Sequence, residues 1–488
     1  MKGARVKTLI SVMWGGGGKI VQSVLQLVVL GVLARFIKPS DFGVINAALI
    51  VVSFTTVFSQ LGIAPALVQR NNLTSKHIST AYFFTLLLGS LLGIIIYANA
   101  EYLAKVFAIE EVSQILKYLV ILFPIIGLSN VANALFERKL KYKWISIRNI
   151  VSYSVGYGIV AIVFGVLGYG VYSIVAGHIV YELLRLLFFV VFIRPKIGDV
   201  SFKALVDLLV FGGGYSLARA ANYIANNADQ VITARVLGAE GLGLYGRAYQ
   251  IIIAPVTLVS SILDKVLYSV MSRMQDERDR VVRGFLAGTS IVIYILGPIS
   301  IAAILMSEEI ILLILGVDWR EAIQPFTILG VGILFRACYK LCDSVSISKG
   351  YVYSRALIQG LVAIVTVISC YFGAHHFGIN GVAMAITLSY VLNFMMMLSL
   401  SLSILKLDFI KYIKNMTRPV VFTLVSGLVI FLSLSVLRNY FSQVIIVIGV
   451  MSIYTVFVFV LNYFVGDKIF SSVLRSIVYD TLRILGVR

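Results

Sequence analysis

Six basic residues, Lys19, Arg185, Arg219, Lys265, Arg336 and Lys340, stand inside stretches that are otherwise almost wholly apolar. A charge held in the hydrocarbon of a bilayer costs about 2.5–3.5 kcal/mol on insertion scales, so each must face a cavity or a partner. Two chemistries fit these six. One is a cationic chamber for an anionic headgroup, in which arginine grips phosphate oxygens bidentately and lysine acts as a point charge; a lipid diphosphate suits it. The other is internal pairing, of Arg185 with Glu182, Lys265 with Asp264, and Lys340 or Arg336 with Asp343. Lys19 follows four glycines in the first apolar stretch, and Arg219 follows the run Phe211, Gly212, Gly213, Gly214. With Arg336 these two form the primary candidate set, and Arg185, Lys265 and Lys340 the secondary one.

The stretch around Arg219 is unusually polar. Arg219, Asn222, Tyr223, Asn226, Asn227 and Gln230 share one face at helical spacing, and Asp229 lies off it. Amides such as Asn222, Asn226 and Asn227 suit sugar hydroxyls on a wet face and serve equally well as glue between helices. Asp229 and Asp343 are the candidates for carrying a coupling ion.

Other chemistries are disfavoured. Gly18 and Lys19 resemble the end of a phosphate loop, but Ile20 stands where Ser or Thr is needed and Met13 where Gly is needed. With no separate nucleotide-binding domain, ATP is not expected as the direct energy source. The four histidines and the cysteines Cys338, Cys342 and Cys370 make no metal spacing. No catalytic residue, metal or cofactor is expected.

The elements that must position these groups are membrane helices. Only 13% of the 488 residues are charged and 60% are hydrophobic, whereas a soluble domain is about a quarter charged. Apolar runs of spanning length fall near 9–35, 42–64, 79–98, 115–136, 146–167, 169–193, 206–234, 246–270, 284–306, 322–347, 353–374, 379–404, 417–437 and 443–465. The net charge of +19 does not indicate nucleic acid, because its basic residues lie in short turns between these runs. With the N-terminus inside, about 27 of the 41 Lys and Arg residues fall on the cytoplasmic side, Arg148 among them, against about 8 outside. That bias implies an even number of spans and both termini in the cytoplasm.

Residues 34–48 (ARFIKPSDFGVINAA) align without gaps on 234–248 (ARVLGAEGLGLYGRA), an offset of 200 residues. Both copies start inside, so the repeat is parallel, an architecture that places binding sites near the bilayer midplane between halves. The expected fold is an all-α integral membrane protein of about fourteen helices, with two six-helix lobes related by a pseudo-twofold axis and two further C-terminal helices. The expected divisions are 1–200, 201–405, 406–466 and 467–488, the last an amphipathic helix lying on the cytoplasmic leaflet.

Several motifs carry a resemblance: VLARFIKPSDFGV (32–44), LGIAPALVQR (61–70), ERKLKYKWISI (137–147), ITARVLGAEGLGLYGRAYQI (232–251), QDERDRVVR (275–283) and ILGVDWREAIQPFTIL (314–329). In these the chain resembles the bacterial O-antigen and exopolysaccharide flippases of the multidrug/oligosaccharidyl-lipid/polysaccharide exporter superfamily, in particular the colanic-acid-exporter branch. The resemblance implies alternating access by two six-helix lobes around a V-shaped cavity. It implies as substrate an undecaprenyl diphosphate carrying a short oligosaccharide, moved across the bacterial inner membrane for polysaccharide biosynthesis. The expected partners are that lipid, the bilayer, a polysaccharide polymerase and a chain-length regulator. The alternatives are a multidrug or lipid II transporter of the same superfamily. A membrane polymerase is a further one, but it needs catalytic groups in sizeable outer loops, and the longest outer loop here is about 16 residues.

Overall fold

The computed structural model describes residues 2–193, 198–273 and 278–465, and every regular element among them is helical. The amphipathic segment expected at 467–488 lies outside the described residues, as does the side chain of Lys265. The chain forms two compact units, Met1–Gly246 and Arg247–Arg488.

The first unit opens with α1 (Lys2–Leu33), α2 (Pro39–Gln60) and the short α3 (Ile63–Gln69). Pro39 suits the first turn of α2, where its missing N–H has no intrahelical partner to lose. Arg138 closes the other end of α3 by donating to the carbonyls of Leu67, Val68, Arg70 and Asn71 at 2.6–3.2 Å. Then come α4 (Ser75–Ala98), α5 (Ala100–Phe107), α6 (Glu111–Leu119) and α7 (Leu122–Arg138). Ile63, Ala66 and Leu67 of α3 are buried against Ala81 of α4, Val131 and Ala134 of α7 and Leu208. Next, α8 (Tyr142–Val155) runs through a π-helical turn at Gly156–Ala161 into α9 (Ile162–Val166), and α10 (Val171–Ile193) follows.

The long α11 (Phe202–Arg273) departs from helical geometry at Gly238, where φ is 70° and ψ is −167°. The Tyr245 hydroxyl donates to the Asp229 carboxylate at 2.6 Å. In a straight helix those residues stand about 24 Å apart, so the chain folds back at Gly238. The left-handed φ there is one that glycine adopts without steric cost.

Just beyond that turn, α11 crosses the start of α2 with the backbones in contact. A methyl built on Gly43 would lie 2.6 Å from the Ala239 carbonyl carbon, and one built on Gly243 would lie 2.7 Å from the Pro39 carbonyl carbon. The repeat offset of 200 maps Gly43 onto Gly243 and Pro39 onto Ala239. Each contact therefore joins residues at corresponding places in the two matched segments. Glycine is required on both sides because small residues let membrane helices approach this closely.

In the second unit the remainder of α11 is followed by α12 (Arg278–Leu305), α13 (Ser307–Ile314), a 3₁₀ turn (Val317–Ala322), α14 (Ile323–Ser348), α15 (Val352–Leu405), α16 (Phe409–Leu437) and α17 (Gln443–Val465). α15 folds back at Gly378, where φ is 59°. Its arms touch through the backbones of Gly373 and Gly381, and Gln359 and Asn393 exchange hydrogen bonds at 3.2 and 3.4 Å. Met306, Ile430, Leu434, Ile446 and Val450 tie the end of α12 to α16 and α17. Leu361, Ile364, Leu424, Leu428 and Phe459 stay exposed, apolar side chains suited to lipid.

Among the described residues ten helices are long and apolar enough to cross a membrane, or eleven if the bent pair of α6 and α7 makes one span. Fourteen were expected. The count is lower because α11 and α15 each enter it once though each folds back, and because the apolar part of α17, Gln443–Phe459, falls short of the length.

Candidate functional site

In the second unit Arg336 lies near the middle of α14, roughly 20 Å along the axis from Ile323, within a segment long and apolar enough to cross a membrane. Its Nη1 donates to the Tyr249 hydroxyl at 2.6 Å and to the Tyr390 hydroxyl, and those hydroxyls stand 3.0 Å apart. The guanidinium carbon lies 5.6 Å from the Tyr249 ring centre and 4.8 Å from that of Tyr390. Three helical segments, α11, α14 and the second arm of α15, thus converge on one cation. Its Nε is buried without a hydrogen-bond partner.

No carboxylate among the described residues pairs with Arg336. The partner weighed for it, Asp343, is held instead by Arg355, through Nε to Oδ1 and through Nη2 to Oδ2 at 3.0 Å. Lys340, weighed for the same carboxylate, is half-buried one turn further along α14. Both coupling candidates are engaged: Asp343 with Arg355, and Asp229, 4% exposed, with Tyr245.

In the first unit Lys19 of α1 and Arg219 of α11 are both exposed. The polar stripe of α11 divides its work. Tyr223 donates to the Ile50 carbonyl at 3.1 Å and Gln230 accepts from Asn46 at 2.8 Å, both joining α11 to α2. Asn226 and Asn227 bond back to the carbonyls of Asn222 and Tyr223, and the Asn222 and Asn226 side chains remain exposed.

Arg185 takes the pairing alternative. Its Nη1 meets both Glu182 oxygens, at 2.6 and 2.9 Å, one turn away on α10. Around the pair gather Tyr181, His178, whose Nδ1 lies 2.5 Å from the Tyr157 hydroxyl on the π-helical turn, and Arg148. Arg148, counted in the sequence among the cytoplasmic cations, is buried in this unit. It is 1% exposed, bonded to Asn149 at 3.0 and 2.7 Å and stacked 4.4 Å from the Phe189 ring. The apolar run starts at 146, but the helix starts at Tyr142, which carries position 148 into the bundle.

Beyond the spans, Arg438 clamps Glu309 at 2.5 and 2.9 Å. That hydrogen-bonded carboxylate holds the Arg438 guanidinium above its ordinary pKa and fastens α13 to the end of α16.

Residues 32–324 match the family described as polysaccharide biosynthesis protein. The chain belongs to that family. Its polysaccharide biosynthesis relatives include "Teichuronic acid biosynthesis protein TuaB" of Bacillus subtilis, 22% identical over 88% of this chain and 89% of that one. They include "Lipopolysaccharide biosynthesis protein WzxC" of Escherichia coli, 22% identical over 80% of each chain. A third is "Succinoglycan biosynthesis transport protein ExoT" of Rhizobium meliloti, 24% identical over 66% of this chain and 64% of that one. Among solved structures the fold is similar to an inward-facing multidrug resistance MATE family transporter of the MOP superfamily, with a TM-score of 0.64, 16% identity, and coverage of 79% of this chain and 94% of that one. The outward-facing form of such a transporter gives a TM-score of 0.55 over 83% and 97%. The polysaccharide biosynthesis match contains the Gly43–Gly243 crossing, Arg148, Arg185, Arg219 and Tyr249, while Arg336 and Tyr390 lie beyond it.

Sequence reasoning named Arg336 but not the tyrosines that meet it. Tyr249 stood inside the quoted 232–251 motif, and Tyr390 carried no signal beyond its place in an apolar run.

Proposed function

We propose that this multi-pass membrane protein is a flippase that moves an undecaprenyl-diphosphate-linked oligosaccharide across the bacterial inner membrane for polysaccharide biosynthesis, by alternating access. The observation that carries this reading is Arg336, a caged cation at midspan with no carboxylate partner among the described residues. A permanent charge costs too much there to be kept without an anionic ligand or a wet cavity, and a diphosphate supplies the charge. Family membership and relatives named for polysaccharide biosynthesis and transport support the same reading. Lys19 and Arg219 complete the proposed cationic set, and the exposed amides Asn222 and Asn226 offer hydrogen bonds to sugar hydroxyls.

The lipid tail stays in the bilayer. A groove of about 650 Å³ at the junction of α15 and α16, lined by Met395, Leu398, Leu402 and Phe409 with Lys406 beside them, offers it a surface. In this reading the chain performs no catalysis, both termini are cytoplasmic, and a polymerase and chain-length regulator act downstream. Drug-cation export fits less well, since a cation transporter needs an available carboxylate and Asp229 and Asp343 are both engaged.

The test is complementation of a flippase-null strain by the wild type and by Lys19→Ala, Arg219→Ala and Arg336→Ala, with membrane abundance measured for each. Restored surface polysaccharide with the wild type and its loss with the variants at normal abundance bear the reading out. Wild-type activity in all three variants refutes the cationic set. Failure of the wild type across several polysaccharide systems refutes the flippase reading.

A further inference from the structure

The Arg336 guanidinium spends its hydrogen bonds in an unusual way. One nitrogen is shared between two neutral hydroxyls, and another is buried and unpaired. A neutral hydroxyl is a poor acceptor for an arginine in low dielectric, and a charged acceptor forms a bond roughly twice as strong. An arriving phosphate oxygen therefore displaces the hydroxyls to advantage. Once displaced, each hydroxyl still owns a proton, so it changes from acceptor to donor without moving far. At 3.0 Å apart the two hydroxyls are close enough to serve one phosphate group together with the guanidinium.

We propose that Tyr249 and Tyr390 are positioning residues that hold the Arg336 guanidinium while the site is empty and donate to the phosphate oxygens when a phosphate-bearing headgroup enters. The inference rests on the flippase reading and deepens it, since it names groups that discriminate a phosphate from other anions. A chloride ion can meet the same three donors, but it is a weaker acceptor with a single charge, whereas a phosphate brings more charge and a separate strong oxygen acceptor for each donor. The guanidinium meets the tyrosines at their hydroxyls, so removing the hydroxyls alone tests the proposal.

The experiment uses the full chain in nanodiscs of phosphatidylcholine, with inorganic pyrophosphate as the probe. Tyr249→Phe, Tyr390→Phe and the double variant keep the rings and remove only the hydroxyls. Losing one hydrogen bond to a charged group costs about tenfold in affinity, so the double variant is expected to bind pyrophosphate at least about 30-fold more weakly than the wild type. Arg336→Lys, which keeps the charge but not the fork, is expected to weaken binding as well. A purely structural role would lower thermal stability in the Phe variants and leave pyrophosphate affinity where it was, and that result overturns the proposal. Absence of pyrophosphate binding by the wild type overturns it too.

Competition separates the sources of phosphate. Displacement of pyrophosphate by undecaprenyl diphosphate, and not by phosphatidylglycerol at equal mole fraction, supports a diphosphate headgroup. Equal displacement by phosphatidylglycerol overturns the assignment to that headgroup. Complementation of the flippase-null strain, scored in parallel, distinguishes the two failures. If the wild type complements while the Phe variants bind normally, only the tyrosine proposal fails; if the wild type neither complements nor binds, the flippase reading fails with it.

Discussion

Replacing Gly43 by alanine sets a methyl group against the backbone of α11. Built on the observed Cα, it stands 2.6 Å from the Ala239 carbonyl carbon and 3.0 Å from its Cα. Carbon atoms reach their best separation at about 3.5–4.0 Å, and the Ala239 carbonyl oxygen stands nearer still, so the two backbones must part by more than about 1 Å. The obstacle is backbone on a helix, which cannot swing away as the tip of a side chain can. Overpacking of this kind costs about 1–3 kcal/mol, or about 5- to 150-fold in the population of the crossed arrangement. The reciprocal contact adds a stricter demand: Gly243→Ala meets the Pro39 carbonyl carbon at 2.7 Å and the Gly43 nitrogen at 3.2 Å, and should cost a similar amount. The double variant should cost less than the sum, since the separation made for one methyl accommodates the other. Gly284→Ala on α12, where an added methyl meets nothing within 4 Å, is the control and should match or slightly exceed wild-type stability. The assay is thermal unfolding of purified protein together with complementation. Wild-type melting and transport in both Gly43→Ala and Gly243→Ala would refute the argument for a tight, reciprocal crossing.

Two further substitutions test the buried network of the first unit. Glu182→Gln strips Arg185 of its carboxylate beside the fully buried Arg148, and should cost about 3–5 kcal/mol, seen as reduced membrane abundance and a lower melting temperature. Adding Arg185→Met to that variant should recover much of the loss, and no recovery would mean that the pair is not an isolated unit. Tyr245→Phe leaves the Asp229 carboxylate without the hydroxyl that holds it across the Gly238 turn. The expected cost is about 1–3 kcal/mol, read from thermal unfolding, and an unchanged melting temperature would show that another group takes over.

What could be read in the sequence was whatever local spacing governs. Glu182 and Arg185 lie three apart on one helix, so their pairing could be foreseen from position alone. The match of 34–48 to 234–248 also pointed to real geometry, since glycines at corresponding places meet corresponding backbones. Contacts made by chain reversal were hidden. Asp343 was set against Arg336 and Lys340 on its own helix, but its partner, Arg355, arrives from the next one after the chain turns at Gly350. Tyr249 and Tyr390 are 141 residues apart and belong to different helices, so no periodicity joins them before α14 brings Arg336 between. The burial of Arg148 was hidden for a different reason. Hydropathy marks where lipid-like composition begins, whereas a helix begins where its backbone can, and here it starts at Tyr142.

The hairpin of α15 has a consequence for how the chain is made. Its two arms leave the ribosome one after the other, and each carries an amide, Gln359 on the first and Asn393 on the second. Entering lipid alone, either arm would present that amide to hydrocarbon without a partner, whereas two arms entering together arrive with their amides already bonded to each other. The glycines at 373 and 381 let the arms close on one another, so this part of the chain is suited to insertion as a preassembled pair.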